Sequence, residues 1–169
     1  MFSGTLLDGS TRLRWNEQKA FHYSLLSTFA SHTVVPEMSC IKLPTEMPYA
    51  EASLLGCGVG TGFGAVVRTA QIEAGYSIAV FGIGGVGISA IQAARLSGDE
   101  RIIACDLKPQ NLEFAKNFGA TDVILVQNGM SPEEAIKDMT HGFGVDTSID
   151  ATGSPRAFRR FARRLATSC

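Results

Sequence analysis

The chain has 169 residues, a formal charge of −1 and 45% hydrophobic content, enough for one substantial domain with a small appendage. No charge excess points to a nucleic-acid partner, and the longest apolar runs are strand-sized or broken by glycine, which argues against a membrane span. The N-terminus lacks the basic region and apolar core of an ordinary secretory signal, and the four cysteines have no C-x-x-C spacing, so free thiols in a reducing cytoplasm are expected.

Residues 1–45 read as short strands, Thr28 to Val35 and Ser39 to Leu43, too few to close a core. Residues 48–73 read as two helical pieces flanking a glycine-rich joint, Gly56-Cys57-Gly58-Val59-Gly60-Thr61-Gly62. From residue 76 the pattern alternates: strand Ser77 to Phe81, helix Gly84 to Leu96, strand Arg101 to Cys105. Pro109 and Gly119 bracket a second helix, and Asp122 to Val126 is a third strand. Ser131-Pro132-Glu133-Glu134 has the pattern of a capping box, Val145 to Ile149 is a fourth strand, and Ser154-Pro155 opens a last helix. This alternation predicts an α/β fold: a partial doubly wound parallel sheet of the Rossmann kind, with about four strands and helices on both faces.

The turn Gly82-Ile83-Gly84-Gly85-Val86-Gly87 directly follows the first of these strands, and Asp106 closes the second, 19 positions after Gly87. That is the layout that holds a dinucleotide by its pyrophosphate and one ribose. Gly82 permits the tight turn, Gly84 clears the approach to phosphate oxygens, and Gly87 lets the helix pack close to the sheet. The helix N-terminus then faces the diphosphate. An ionised Asp106 accepts hydrogen bonds from ribose hydroxyls and repels a 2′-phosphate, which favours NAD over NADP. The alternatives are a glycine turn that binds nothing and a methyltransferase loop for S-adenosylmethionine. The third glycine inside the helix argues against the latter.

With Gly56 to Ala65, Ala79 to Gly87, Ile102 to Asp106, Phe118 to Asp122, Thr5 to Arg12 and Ser27 to Ala30 in that order, the chain resembles the zinc-dependent medium-chain alcohol dehydrogenases, in the flavour of the aryl-alcohol and glutathione-linked formaldehyde branches. The resemblance implies an NAD-dependent oxidoreductase that transfers hydride from a small alcohol, with zinc polarising the alcohol oxygen. It makes Cys57 a ligand of the catalytic zinc and Thr61 the residue behind the nicotinamide, with Val86 on the same side. Gly82, Gly84, Gly85 and Gly87 form the pyrophosphate turn, Asp106 holds the ribose, and Ala151, Thr152 and Gly153 border the coenzyme. Asn111 stands where relatives often carry a lysine, with Lys108 as partial compensation.

The family's other zinc ligands, an upstream cysteine and a Gly-His-Glu segment, have no counterpart here, and neither does its four-cysteine structural loop. His22, His32 and His141 do not replace them. The chain therefore reads as an internal piece of a dehydrogenase: residues 1–47 a remnant of the GroES-like catalytic domain, residues 48–169 an incomplete coenzyme domain. The expectation is a cytoplasmic protein that keeps coenzyme binding and little or no turnover, with no nucleic-acid or membrane partner. The family's usual homo-oligomer edge would lie beyond Cys169. The competing readings are a non-catalytic nucleotide-binding module or inert product, and a zinc-free reductase. Arg156, Arg159, Arg160, Arg163 and Arg164 read as a solvated helix face. Cys40 and Cys105 read as packing residues.

Overall fold

A computed structural model of the chain describes residues 4–6, 8–23, 26–127 and 130–155. The chain divides into two compact units, Met1–Met47 and Pro48–Cys169. The arginine stripe from Arg156 to Arg164 lies outside the described residues.

In the first unit, β1 (Leu13–Trp15) and β2 (Gln18–Ala20) form an antiparallel hairpin. Asn16 and Glu17 make its two-residue turn with φ of 46° and 62°, the left-handed pair that matches strand twist. The side chain of Thr11 donates to the Ala20 carbonyl beside it. Residues 28–35, expected as a strand, are irregular, and a short 3-10 turn, Glu37–Ser39, stands where the second strand was expected to begin. The β-branched and aromatic residues there suit a sheet, but among the described residues no strand pairs with them, and Phe29, Val34 and Ile41 are exposed. Cys40 is exposed as well, contrary to its expected packing role.

The second unit opens with helix α1, Tyr49–Ala70, which runs unbroken through the glycine-rich segment expected as a joint. Two of its stretches, Leu55–Val59 and Ala65–Ala70, are π-helical, while Gly60, Gly62 and Gly64 lie in the regular α-helical turn between them. Gln71, with φ 50°, ends it. By length and composition this helix could cross a bilayer, which the reading of glycine-broken runs did not anticipate. Its fully buried Val66 joins the apolar cluster around the sheet's first helix, while 11% of the helix's most apolar stretch is buried.

The rest is a strand–helix alternation: β3 (Ser77–Phe81), α2 (Gly85–Ser97), β4 (Arg101–Asp106), α3 (Pro109–Phe118), β5 (Asp122–Leu125), α4 (Pro132–Met139) and β6 (Thr147–Asp150). The strands are parallel in the order β5-β4-β3-β6. This is the expected α/β architecture. Because both faces are covered, the central strands are apolar at consecutive positions. Ile78, Val80, Ile102 and Ala104 meet Ala90, Ile91, Ala94 and Leu112 on one face. Ala79, Phe81, Ile103 and Cys105 meet Ile136 on the other. Burial, with repulsion from Glu133, pushes the Cys105 thiol up to about 12, so it packs as an inert thiol. Among the described residues β6 pairs with β3 alone. Pro109 opens α3 and Gly119, at φ 118°, closes it, as expected. The expected capping box at α4 does not form: the Ser131 hydroxyl bonds the Glu133 carboxylate at 2.6 Å.

At the end of the sheet where the strands begin, Asp146 accepts from the Ser77 N–H at 2.8 Å and hydroxyl at 2.6 Å. The two carboxylate oxygens of Asp99 are sequestered without a hydrogen-bond partner among the described residues. Desolvation first, and then repulsion by Asp146, raise its pKa from 3.8 to about 6. A raised acid costs the fold nothing below its ordinary pKa and its full penalty above the folded value. Thermal melts should therefore show Asp99→Asn stabilising the chain at pH 7.5 by about 1 kcal/mol after allowance for solvent screening. The gain should fade as pH falls from about 6 towards 3.8.

Candidate functional site

The site is built where the parallel strands end. Phe81 is in register with Cys105 on one side and Asp150 on the other. The ladder continues past the strands, from the Gly82 N–H to the Cys105 carbonyl and from the Ala151 N–H to the Phe81 carbonyl, each 2.8 Å. β4 and β6 flank β3 on opposite sides, so a crevice opens between the connections that leave β3 and β6.

The glycines of the turn fall into two kinds. Gly82 has φ +85°, and a Cβ there would lie 2.7 Å from the Thr152 nitrogen and 2.8 Å from the Ala151 carbonyl. At Gly87 a Cβ would run into the carbonyl oxygen of Gly82. Both are demanded by the protein's own backbone. Gly84 and Gly85 are different, because nothing lies within 4 Å of where their Cβ atoms would be. Gly84 takes an ordinary extended conformation, φ −95° and ψ −162°. What their missing side chains keep open is room in front of a helix start. No side chain caps α2, and its first turn carries no acid, so its leading N–H groups and positive dipole end are available to an anion.

Asp106 ends β4 half-buried beside this turn. Its Oδ2 accepts from the Ile83 N–H at 2.7 Å and its Oδ1 from the Lys108 N–H at 2.8 Å. Burial alone would raise its pKa, but the N–H groups of Ile83 and Lys108, the Asn111 side chain and the Leu107 N–H together hold it below 3.8. The carboxylate is therefore ionised at neutral pH. The bonds from Ile83 and Lys108 fall on different oxygens, one on each.

On the far wall, Asp150 Oδ1 accepts from the Thr152 N–H at 2.9 Å and hydroxyl at 2.6 Å, and the Thr152 hydroxyl accepts from the Ser154 N–H at 3.1 Å. This turn holds the exposed Thr152 against Gly82. Gly153 has φ +64°.

Helix α1 meets the site through Gly62. A Cβ at Gly62 would strike the Val86 carbonyl oxygen and lie 2.7 Å from the Ser89 Cβ and 2.9 Å from the Ala90 nitrogen. Thr61 therefore stands next to the point where α1 touches the first turn of α2. Thr61 is inside the helix. Cys57 lies one turn earlier on α1, exposed and unpaired. Zinc does not fit the residues present: no three His, Cys, Asp or Glu gather to hold a metal ion among the described residues.

The sequence expectation thus finds Gly82, Gly84, Gly85, Val86, Gly87, Asp106, Thr152 and Gly153 around one crevice, with Thr61 beside it. It missed Gly62 as a contact residue, because what demands glycine there is a helix more than twenty positions away. It also missed the bond from Ile83 to Asp106. A basin of about 630 Å³, lined by Arg101, Thr121, Asp122, His141 and Asp146 among others, lies at the opposite end of the strands, away from these residues.

Residues 85–167 match the family model described as zinc-binding dehydrogenase. The chain is 43% identical over 157 residues to an S-(hydroxymethyl)glutathione dehydrogenase of Synechocystis sp., covering 92% of this chain and 42% of that protein. A protein of the same name from Escherichia coli is 41% identical over 159 residues, with the same coverage. Among solved structures, an alcohol dehydrogenase zinc-binding domain protein from Burkholderia ambifaria superposes with TM-score 0.80 at 38% identity, over 94% of this chain and 43% of that one. Benzyl alcohol dehydrogenase from Acinetobacter calcoaceticus gives 0.75 at 36%, over 82% and 38%. The chain spans about two fifths of the length of the curated relatives it matches.

The two kinds of glycine separate in a stability measurement. Gly87→Ala should lose about 2–3 kcal/mol or more, because backbone has to move to admit the methyl group. Gly84→Ala should stay within about 1 kcal/mol of the parent, because its conformation and surroundings tolerate a Cβ. Chemical denaturation of both variants checks this.

Proposed function

We infer the function of this chain from the family it belongs to, the zinc-binding medium-chain alcohol dehydrogenases: it is the part of such an oxidoreductase that holds the coenzyme NAD. The observation that carries this reading is the open space at Gly84 and Gly85 in front of an uncapped helix start, with an ionised carboxylate beside it. The N–H groups of the first turn of α2 would hold the pyrophosphate, and Asp106 the two adenosine ribose hydroxyls. Its charge, with no arginine in the turn to offset a 2′-phosphate, favours NAD over NADP. Thr152 and Gly153 would border the coenzyme across the crevice, and Val86 and Thr61 would lie towards the nicotinamide. When bound, NAD supplies a hydride acceptor for the carbon of a small alcohol, or its reduced form a donor to an aldehyde.

In the whole enzyme Cys57 would be one zinc ligand. Residues 1–47 would belong to its catalytic domain, and residues 48–169 to its coenzyme domain. A small alcohol or aldehyde is the substrate class, the cytoplasm the compartment and a homo-oligomer the assembly, without nucleic acid or membrane as partner. Within this chain Cys57 stands without companion ligands among the described residues. That observation favours a second reading for the chain alone, a nucleotide-binding module without turnover.

Calorimetry with NADH and NADPH tests the coenzyme assignment. NADH should bind more tightly, and Asp106→Ala should weaken it about 10- to 100-fold, the loss of a charge-assisted hydrogen-bonding group. Equal binding of both coenzymes, or preference for NADPH, would contradict the assignment. Alcohol oxidation by this chain with added zinc and NAD should be absent, and zinc-dependent turnover would overturn the second reading.

A further inference from the structure

The carboxylate assigned to the ribose has a second connection inside the protein. Ile83 is the residue between the two leading glycines of the turn. Its side chain is 4% exposed and packs in the core with Val80 and Ala90. Its N–H points the other way and donates to Asp106 Oδ2 at 2.7 Å. The other oxygen of Asp106 accepts from the Lys108 N–H at the start of α3. One carboxylate thus bridges the turn after β3 and the turn after β4, whose strands are otherwise joined by their ladder up to the pair Phe81 and Cys105 and by the Gly82 N–H to Cys105 bond beyond it.

We propose that Asp106 is also a positioning residue for the pyrophosphate turn: by holding the Ile83 N–H it fixes the backbone of residues 82–85 in the shape that presents the N–H groups of α2 to a diphosphate. Gly82 and Gly84 on either side of Ile83 are the most flexible residues the chain can place there. A turn with that composition needs an anchor, and Ile83 gives it two, an apolar one below and Asp106 above. Ribose recognition and diphosphate recognition are then not separable. Replacing Asp106 to admit a 2′-phosphate would also loosen the grip on the diphosphate common to both coenzymes.

This inference rests on the coenzyme reading above for its functional part and on the bond from Ile83 to Asp106 alone for its structural part. The experiment keeps the two apart. Amide hydrogen exchange at Ile83, measured by NMR without ligand, should speed up about ten-fold or more in Asp106→Ala, the loss of a charge-assisted bond. Asp106→Asn, which keeps a carbonyl acceptor, should fall between the two, while the amides of β3 stay protected in all three proteins. Unchanged Ile83 exchange in Asp106→Ala would overturn the proposal whether or not the chain binds coenzyme.

Binding is then compared for ADP and 2′,3′-dideoxy-ADP, which has the diphosphate but neither ribose hydroxyl. A positioning role expects Asp106→Ala to weaken dideoxy-ADP as well, by about ten-fold, and ADP by more. If the carboxylate acted only through the hydroxyls, the variant would bind dideoxy-ADP as well as the parent does, or better for want of a negative charge, and the proposal would fail. If neither nucleotide bound the parent chain, the coenzyme reading would fail, and the exchange result would still decide the anchor.

Discussion

Everything in the site depends on how closely one helix start approaches one strand end. The carbonyl oxygen of Gly82 occupies the place a side chain on residue 87 would need, so α2 can descend on the turn only because position 87 lacks a Cβ. That approach points the unpaired N–H groups of α2 into the crevice at the strand ends. It also brings Ile83 to Asp106 and Gly82 against Thr152. A parallel sheet permits this approach, since the helix after each strand must return across a covered face.

The same arrangement is repeated one layer out. Gly62 does for α1 on α2 what Gly87 does for α2 on the turn, letting backbone touch backbone. Small residues along α1 leave it too apolar and glycine-rich for an isolated helix, and its turns widen twice. Packing of Gly62 and Val66 supplies what intrinsic propensity does not. The face of α1 carrying Cys57 and Thr61 remains exposed in this unit. Within a chain that spans about two fifths of its curated relatives, that is the face where the chemistry of a whole dehydrogenase would be assembled in our reading.

Legibility in the sequence follows the range of the forces involved. The β3–turn–α2–β4 segment was readable because its apolar runs, glycines and terminal acid are all local signals. Helix α3 was readable from Pro109 and Gly119 for the same reason. Helix α1 was misread as two pieces because glycine counts against a helix locally, while the contact that holds it comes from α2. The hairpin at residues 13–20 was missed because its turn, Asn16-Glu17, places a glutamate at positive φ, an unusual residue for that conformation. The capping box at α4 had the right spelling, but Ser131 found the carboxylate of Glu133 nearer than a backbone N–H. The spacing of Asp106 after the glycine turn marks it as a candidate ribose acid. Its hold on Ile83 could not be seen, since it needs the distance between two turns that only the folded sheet fixes.

In this account the crevice where the strands end, and not the basin where they begin, receives NAD. Mapping amide chemical shifts during an NADH titration addresses it directly. The expected result is that the largest changes fall on Ile83, Gly84, Gly85, Val86, Leu107 and Thr152, with Thr121 and His141 unmoved. Changes centred on Thr121, His141 and Asp146, or no changes at saturating NADH, would contradict it.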